Sequence, residues 1–327
     1  MSLTHSRGQA SALLSKANKS LLYDSAVVLA GHEGPVYTAQ FSPQGQTIAS
    51  GGHDKSILLW HLPTVANEEK PNYGILTGHK SAVTSLTWLL ESSIFSTSAD
   101  STIAFWDAET GERFRKGVGH EGVVNECSGI NNGVCVSVGD DGTIRVWDER
   151  EKHEVSKIDT KYPLLTCNAS KDGHTVFVSG IDPTVQAFDL RTNEAAWKCS
   201  GMQDSVTSLG LNSDGSMLSA RAMDGSIRTL SAKAAVPPGI PRMSKQVYAG
   251  ATGSLQQVLA RISFTNDDVY IGLGSDDATA IMWGTASGRM VNKFSGNEGT
   301  VIDVDFHPSE KILLSSGSKG EVIVRDY

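Results

Sequence analysis

Residues 119–148 read GHEGVVNECSGINNGVCVSVGDDGTIRVWD, and the punctuation of this stretch decides the fold. Gly119-His120 opens it, Trp147-Asp148 closes it 27 residues after the histidine, and short Val-rich runs lie between turn residues. β-Branched runs of that length, broken by Gly, Asn and Asp, are strands joined by tight turns. Two earlier stretches repeat the plan: Gly31-His32 leads to Trp60 over 28 residues, and Gly78-His79 leads to Trp106-Asp107 over 27. In each copy an aspartate (Asp54, Asp100, Asp141) stands six residues before the tryptophan, and a serine (Ser50, Ser96, Ser137) four before the aspartate.

Sliding the template along the chain finds Asp182 before Phe188, Asp224 before Leu230, Asp277 before Trp283 and Lys319 before Arg325. The marker positions 60, 106, 147, 188, 230, 283 and 325 are spaced by 46, 41, 41, 42, 53 and 42 residues. A period of about 40–45 residues bounded by Gly-His and Trp-Asp is that of a four-stranded propeller blade. Seven units result, with insertions in units one and six. Val27, Val28 and Leu29 precede the first Gly-His, while the run 322–324 leaves the seventh unit one strand short. The reading is an all-β, seven-bladed WD40 β-propeller over 26–327, closed by the N-terminal strand, after a flexible tail over 1–25.

Composition excludes several functions. The chain of 327 residues carries 28 Lys and Arg against 36 Asp and Glu, a formal charge of −8. A field of that sign repels phosphate backbones, so any RNA association is expected to be indirect. Apolar runs are strand-sized and far below the eighteen or so residues that span a bilayer, so no membrane role is expected. Cys127, Cys135, Cys167 and Cys199 lie far apart without a CxxC pair, which speaks against zinc and disulfides and for a reducing compartment. Residues 1–22 do not read as a secretory leader. No phosphate cradle, nucleophile elbow or dinucleotide loop occurs, and the pairs His32-Glu33, His120-Glu121 and His153-Glu154 lack the second histidine of a zinc helix. The expectation is a protein that is not an enzyme, with no catalytic residue, metal or cofactor.

The marker residues read as structure. His32, His79 and His120 each belong to a different blade, so they form no common site. Within a blade the imidazole reaches the carboxylate, the serine hydroxyl bridges, and the indole N–H is satisfied. The expected network is therefore His32, Ser50, Asp54 and Trp60; His79, Ser96, Asp100 and Trp106; His120, Ser137, Asp141 and Trp147. Units four, five and seven lose the histidine (Thr160, Met202, Asn297) and the tryptophan (Phe188, Leu230, Arg325). Unit seven is expected to draw its stability from its neighbours and from the N-terminal strand that closes it.

With this pattern the chain is identified as a member of the WD-repeat family. The segments LAGHEGPVY (29–37), SGGHDKSILLW (50–60), WDAETGERFRKGVGH (106–120), DDGTIRVWD (140–148), GTVIDVDFHPSEKILLSS (299–316) and above all DSVTSLGLNSDGSMLSARAMDGSIR (204–228) resemble its branch in the spliceosomal U5 small nuclear ribonucleoprotein. The resemblance implies a nuclear, non-catalytic scaffold in pre-mRNA splicing. It further implies a monomeric propeller within a multi-subunit complex, docked on the large U5 scaffold protein of Prp-eight type and other spliceosomal proteins. Two rivals come from other function classes. Trp147-Asp148-Glu149-Arg150 and Phe188-Asp189-Leu190-Arg191 are similar to the WDxR pattern of cullin ubiquitin ligase substrate receptors, and a generic peptide-binding adaptor is the other.

Partner-binding candidates fall on two rims. The residues before the repeat aspartates (before Lys319 in unit seven), His53, Ala99, Asp140, Ile181, Met223, Asp276 and Ser318, are expected around the central opening, with Tyr162, Pro163, Ile181 and Met223 making an apolar patch. On the opposite rim, 231–245 reads SAKAAVPPGIPRMSK, a proline-stiffened arm assigned to unit six. Lys233, Arg242 and Lys245 are its expected contacts to an acidic protein or RNA surface.

Overall fold

The computed structural model describes residues 21–22, 24–64, 72–130, 133–251 and 260–327. Twenty-eight strands, numbered β1 to β28 in chain order, form seven four-stranded antiparallel sheets among the described residues. Blade one shows the plan: β2 (Val36–Phe41), β3 (Thr47–Gly52), β4 (Ser56–His61) and β5 (Asn72–Thr77) pair in that order. The first strands of the blades, β2, β6 (Val83–Trp88), β10 (Val124–Gly129), β14 (Leu164–Ala169), β18 (Val206–Leu211), β22 (Ile262–Phe264) and β26 (Val301–Phe306), neighbour one another in sequence and close back from β26 to β2. They are the inner wall of the ring.

Closure is made by the strand at the other end of the chain. β1 (Ala26–Ala30) is the outermost strand of blade seven, antiparallel to β28 (Glu321–Asp326), with Val28 opposite Ile323. Val27 and Leu29 point inward and join Val322, Val324, Phe41 and Trp60 in one apolar cluster between blades seven and one. Leu22 joins the same cluster and bridges Thr64, so packing begins within the stretch read as a tail, because an apolar side chain there is buried against the cluster. The rest of that tail, 1–20 and 23, lies outside the described residues.

Apolar residues alternate into the spaces between adjacent blades, as the period of two requires. Cys127, Cys135, Cys167 and Cys199 are buried free thiols. Burial pushes the Cys127 thiol up to about 12, out of reach of thiolate chemistry at neutral pH. The arm changes blade. Its ends are β20 (Ile227–Ser231) and β21 (Met243–Tyr248), the third and fourth strands of blade five, rather than blade six. The repeat in the sequence starts one strand earlier than the sheet it is counted with, which explains the shift.

Candidate interaction surfaces

Blades one and three carry the full polar relay. His32 Nδ1 lies 2.8 Å from Asp54 and Nε2 2.8 Å from Ser50 Oγ, which also accepts the Trp60 indole N–H at 2.8 Å. His120, Asp141, Ser137 and Trp147 repeat this at 2.7–2.9 Å. In blade two the Trp106 indole and His79 Nε2 meet Ser96 Oγ at 2.7 and 2.8 Å, while His79 Nδ1 stands 3.6 Å from Asp100, beyond hydrogen-bond distance. Each aspartate also accepts the backbone N–H after its histidine: Glu33, Lys80 and Glu121 at 3.1, 2.7 and 3.0 Å. The hub is therefore the serine hydroxyl, and no tryptophan reaches the carboxylate. Burial holds all three imidazoles below their usual range despite the facing aspartates, which keeps them neutral.

Blade seven has its own version of this network. Asn297 Oδ1 accepts from Ser315 Oγ at 3.4 Å and from Arg325 Nη2 at 3.2 Å, and Arg325 Nη1 donates to the Ser295 carbonyl at 2.5 Å. Glu321 takes the place of the missing aspartate, accepting the Glu298 N–H at 3.2 Å and the Lys319 N–H at 3.1 Å. Its acid stands two residues beyond Lys319, and the longer side chain spans the difference. The seventh unit thus has a partial network of its own, with Asn297 Nδ2 and Arg325 Nε left without partners among the described residues. It also leans on blade one, where Asp303 and Asp305 accept the Ala39 and Phe41 N–H groups, and on β1, which closes it.

The inner wall holds residues that the repeat template passes over. A bulge after the first residue of the inner strand recurs in blades one to five and seven, at Val36/Thr38, Val83/Ser85, Val124/Glu126, Leu164/Thr166, Val206/Ser208 and Val301/Asp303. It turns the next side chain toward the following blade. Glu126 accepts the Cys167 N–H at 3.0 Å, Thr166 that of Leu209 at 2.9 Å, Ser208 that of Ile262 at 3.0 Å, and Asp303 that of Ala39 at 3.0 Å. By the same register the position in blade six is Arg261, the one base in a ring of Thr38, Ser85, Glu126, Thr166, Ser208 and Asp303. Its Nε donates to Glu126 at 2.8 Å, Nη1 to the Tyr37 carbonyl at 2.9 Å and Nη2 to the Thr84 carbonyl at 2.8 Å, and Asp303 lies 3.6 Å away. Its own N–H donates to Ile302 at 2.9 Å. One guanidinium from blade six ties blades one, two, three and seven across the axis.

Beside it lies a polar cavity of about 170 Å³ lined by Gln40, Ser128, Asn168, Ser263 and Asp305 among others. Asp305 accepts the Phe41 N–H at 2.9 Å, yet burial pushes its carboxyl up to about 7. Among the described residues no group of three or more His, Cys, Asp or Glu side chains is arranged to hold a metal.

Comparison with known proteins agrees with the geometry. Residues 9–198 match the family described as the TEP-1 second beta-propeller, and 288–326 match the WD domain, G-beta repeat. Pre-mRNA-splicing factor cwf17 of Schizosaccharomyces pombe is 37% identical over 291 residues, 88% of this chain and 83% of the relative. The U5 small nuclear ribonucleoprotein 40 kDa protein of Homo sapiens is 36% identical over 303 residues, 91% and 83% of the two chains. Its namesake in Dictyostelium discoideum is 30% identical over 322 residues, 97% and 89%. The chain belongs to the WD-repeat propeller family that includes these proteins.

In this WD-repeat ring six of the seven residues expected at the central opening, all but Asp276, are fixed by one rule. The backbone N–H groups of His53, Ala99, Asp140, Ile181, Met223 and Ser318 donate to the carbonyls just ahead of their own inner strands, on Pro35, Ala82, Val123, Pro163, Ser205 and Thr300. Ser205 Oγ donates in turn to the Ile181 carbonyl at 3.2 Å, so one set of loops carries Tyr162, Ile181 and Met223. Tyr162 and Ile181 are exposed, Met223 half-buried. His53 is exposed, 3.4 Å from the Tyr37 hydroxyl, and Asp140 accepts from Asn125 Nδ2 at 2.7 Å.

On the other face of the propeller the three basic residues of the arm separate. Arg242 is a staple: its guanidinium lies 4.0 Å from the Trp197 ring centroid and donates to the carbonyls of Ser231, Lys233 and Ala234 at 2.8, 2.6 and 3.2 Å. Lys233 is exposed beside a groove, and Lys245 alternates away from it, since Ser244 and Gln246 take the groove side of β21. Arg150 and Arg191 are clamped in two-point contacts to Asp148 and Asp189 of their own blades, at 2.7–2.8 and 2.6–3.0 Å.

Proposed function

We propose that this WD-repeat protein is a non-catalytic scaffold of the spliceosomal U5 particle, acting in the nucleus in pre-mRNA splicing and docked on the large U5 scaffold protein. The observation that carries the reading is near full-length similarity to proteins named for splicing and for U5, over a ring in which Glu126, Thr166, Ser208, Arg261 and Asp303 hold neighbouring blades together. A wall so engaged favours binding over chemistry. The apolar patch of Tyr162, Ile181 and Met223, with His53 on the same rim, is the proposed contact on the face of the central opening; Lys233 serves the other face. Arg150 and Arg191, already held by their own aspartates, support this reading over a cullin ligase receptor.

The test is affinity purification of the tagged full chain from nuclear extract with mass spectrometry. U5 proteins are expected, with recovery reduced several-fold by Ile181→Asp and Met223→Asp. Recovery of a cullin ligase without U5 components overturns the assignment.

A further inference from the structure

The groove beside the arm of blade five has no assigned occupant. It encloses about 520 Å³ between the arm and the third-to-fourth-strand turn of blade six, within the ~300–1,000 Å³ of pockets that take compact ligands. Met217, Leu230, Val236, Ile240 and Tyr248 give it an apolar lining, and no carboxylate lines it. We infer that this groove docks an extended acidic segment of a partner protein, with one bulky apolar side chain seated against Ile240 and Val236.

Three observations support that occupant. The arm is built in advance of binding: Ile240 N–H donates to the Pro237 carbonyl at 3.2 Å across Pro238-Gly239, and Gly239 has φ +86°, a left-handed conformation glycine adopts without strain. With Arg242 stapling its base, the arm holds Ile240 60% exposed, so little ordering cost remains for a partner to meet.

The charge is local. Lys233 is on the rim and Arg242 at the arm's base. Lys233 forms no salt bridge among the described residues. On a chain of net charge −8, such a rim is a place where an acidic segment is attracted rather than repelled, and it sets the segment's orientation.

Chemistry separates protein from RNA here. Single-stranded RNA stacks on exposed aromatic rings. The aromatic of this groove, Tyr248, is 1% exposed with its hydroxyl donating to Thr285, and the nearby Trp197 is covered by Arg242.

The inference deepens the scaffold reading and rests on it for the existence of a partner. Its test uses the purified full chain and fluorescence anisotropy. Four labelled twelve-residue probes are titrated: a peptide of Asp and Glu with a central Leu-Phe pair, the same peptide with Lys for every acid, an all-acidic peptide, and oligouridine RNA. The acidic apolar peptide is expected to bind at least about tenfold tighter than the other three. Ile240→Asp should weaken it about tenfold and Lys233→Glu several-fold, with melting temperatures unchanged because both side chains are exposed. No binding of that peptide, equal binding of any other probe, or indifference to both substitutions overturns the groove assignment. Recovery of U5 proteins is a separate measurement, so the two readings fail separately.

Discussion

Arg261 Nε stands 2.8 Å from Glu126 Oε1, across the axis of the ring, although 135 positions separate them in the chain. Removing the guanidinium leaves Glu126 and Asp303 buried without their cation and strips the carbonyls of Tyr37 and Thr84 of a donor. Arg261→Met should therefore lose about 3–5 kcal/mol in urea unfolding, the cost of breaking a buried pair. The double variant Arg261→Met, Glu126→Gln should recover part of that loss. Additive losses in the double variant contradict the coupling.

Asp305 predicts a slope with pH. Its folded carboxyl titrates at about 7 and an unfolded one at about 3.9, so between those values the folded state holds the proton and the unfolded state has released it. The contribution is present below about pH 4 and lost as pH rises through 7, up to roughly 4 kcal/mol. Asp305→Asn abolishes this component. Urea midpoints of wild type and variant at pH 5, 6, 7 and 8 should diverge, the variant gaining relative stability with each step. The neutral imidazoles of His32, His79 and His120 oppose this slope in acid equally in both proteins, and they cancel in the difference.

Ser137→Ala should cost more than Ser315→Ala. The Ser137 hydroxyl meets both the Trp147 indole and His120 at 2.7–2.8 Å, so its loss strands two buried groups at about 1–3 kcal/mol each. Ser315 makes a single contact of 3.4 Å to Asn297, and about 1 kcal/mol or less is expected. Equal destabilisation in urea counts against the serine as hub.

Leu22 and β1 give a graded pair. Leu22→Ala should cost about 2–3 kcal/mol while leaving the ring closed, because Leu22 is 6% exposed in the cluster between blades seven and one. Deleting residues 1–29 removes the outer partner of β28 and should yield aggregated protein by light scattering.

Most of the ring was legible in the sequence because Gly-His, Asp and Trp mark strand ends at a fixed period. The closing strand followed from a strand deficit at one end and a surplus at the other. Two features escaped for different reasons. Glu321 lies two residues off the template, and only side-chain length reveals that it reaches the same backbone amide. Arg261 was within reach: it stands 22 residues before the marker Trp283, as Asp303 stands 22 before Arg325 and Glu126 21 before Trp147. A base in a column of acids and hydroxyls is the signal, but nothing local says that seven such residues face one axis. The arm's lysines and arginine looked alike as composition, and the fold gave each a separate task.

The pairing of Val28 with Ile323 also sets a clock. Translation must add 295 residues after Val28 before its partner exists, which at about 5–20 residues per second takes roughly 15–60 s. Throughout that interval β1 waits on the ribosome with a bare edge, while each of blades one to six is completed by strands made one after another. The ring is therefore born open, and nascent chains are expected to need shielding of that one strand, by a chaperone or by dilution, until blade seven snaps shut.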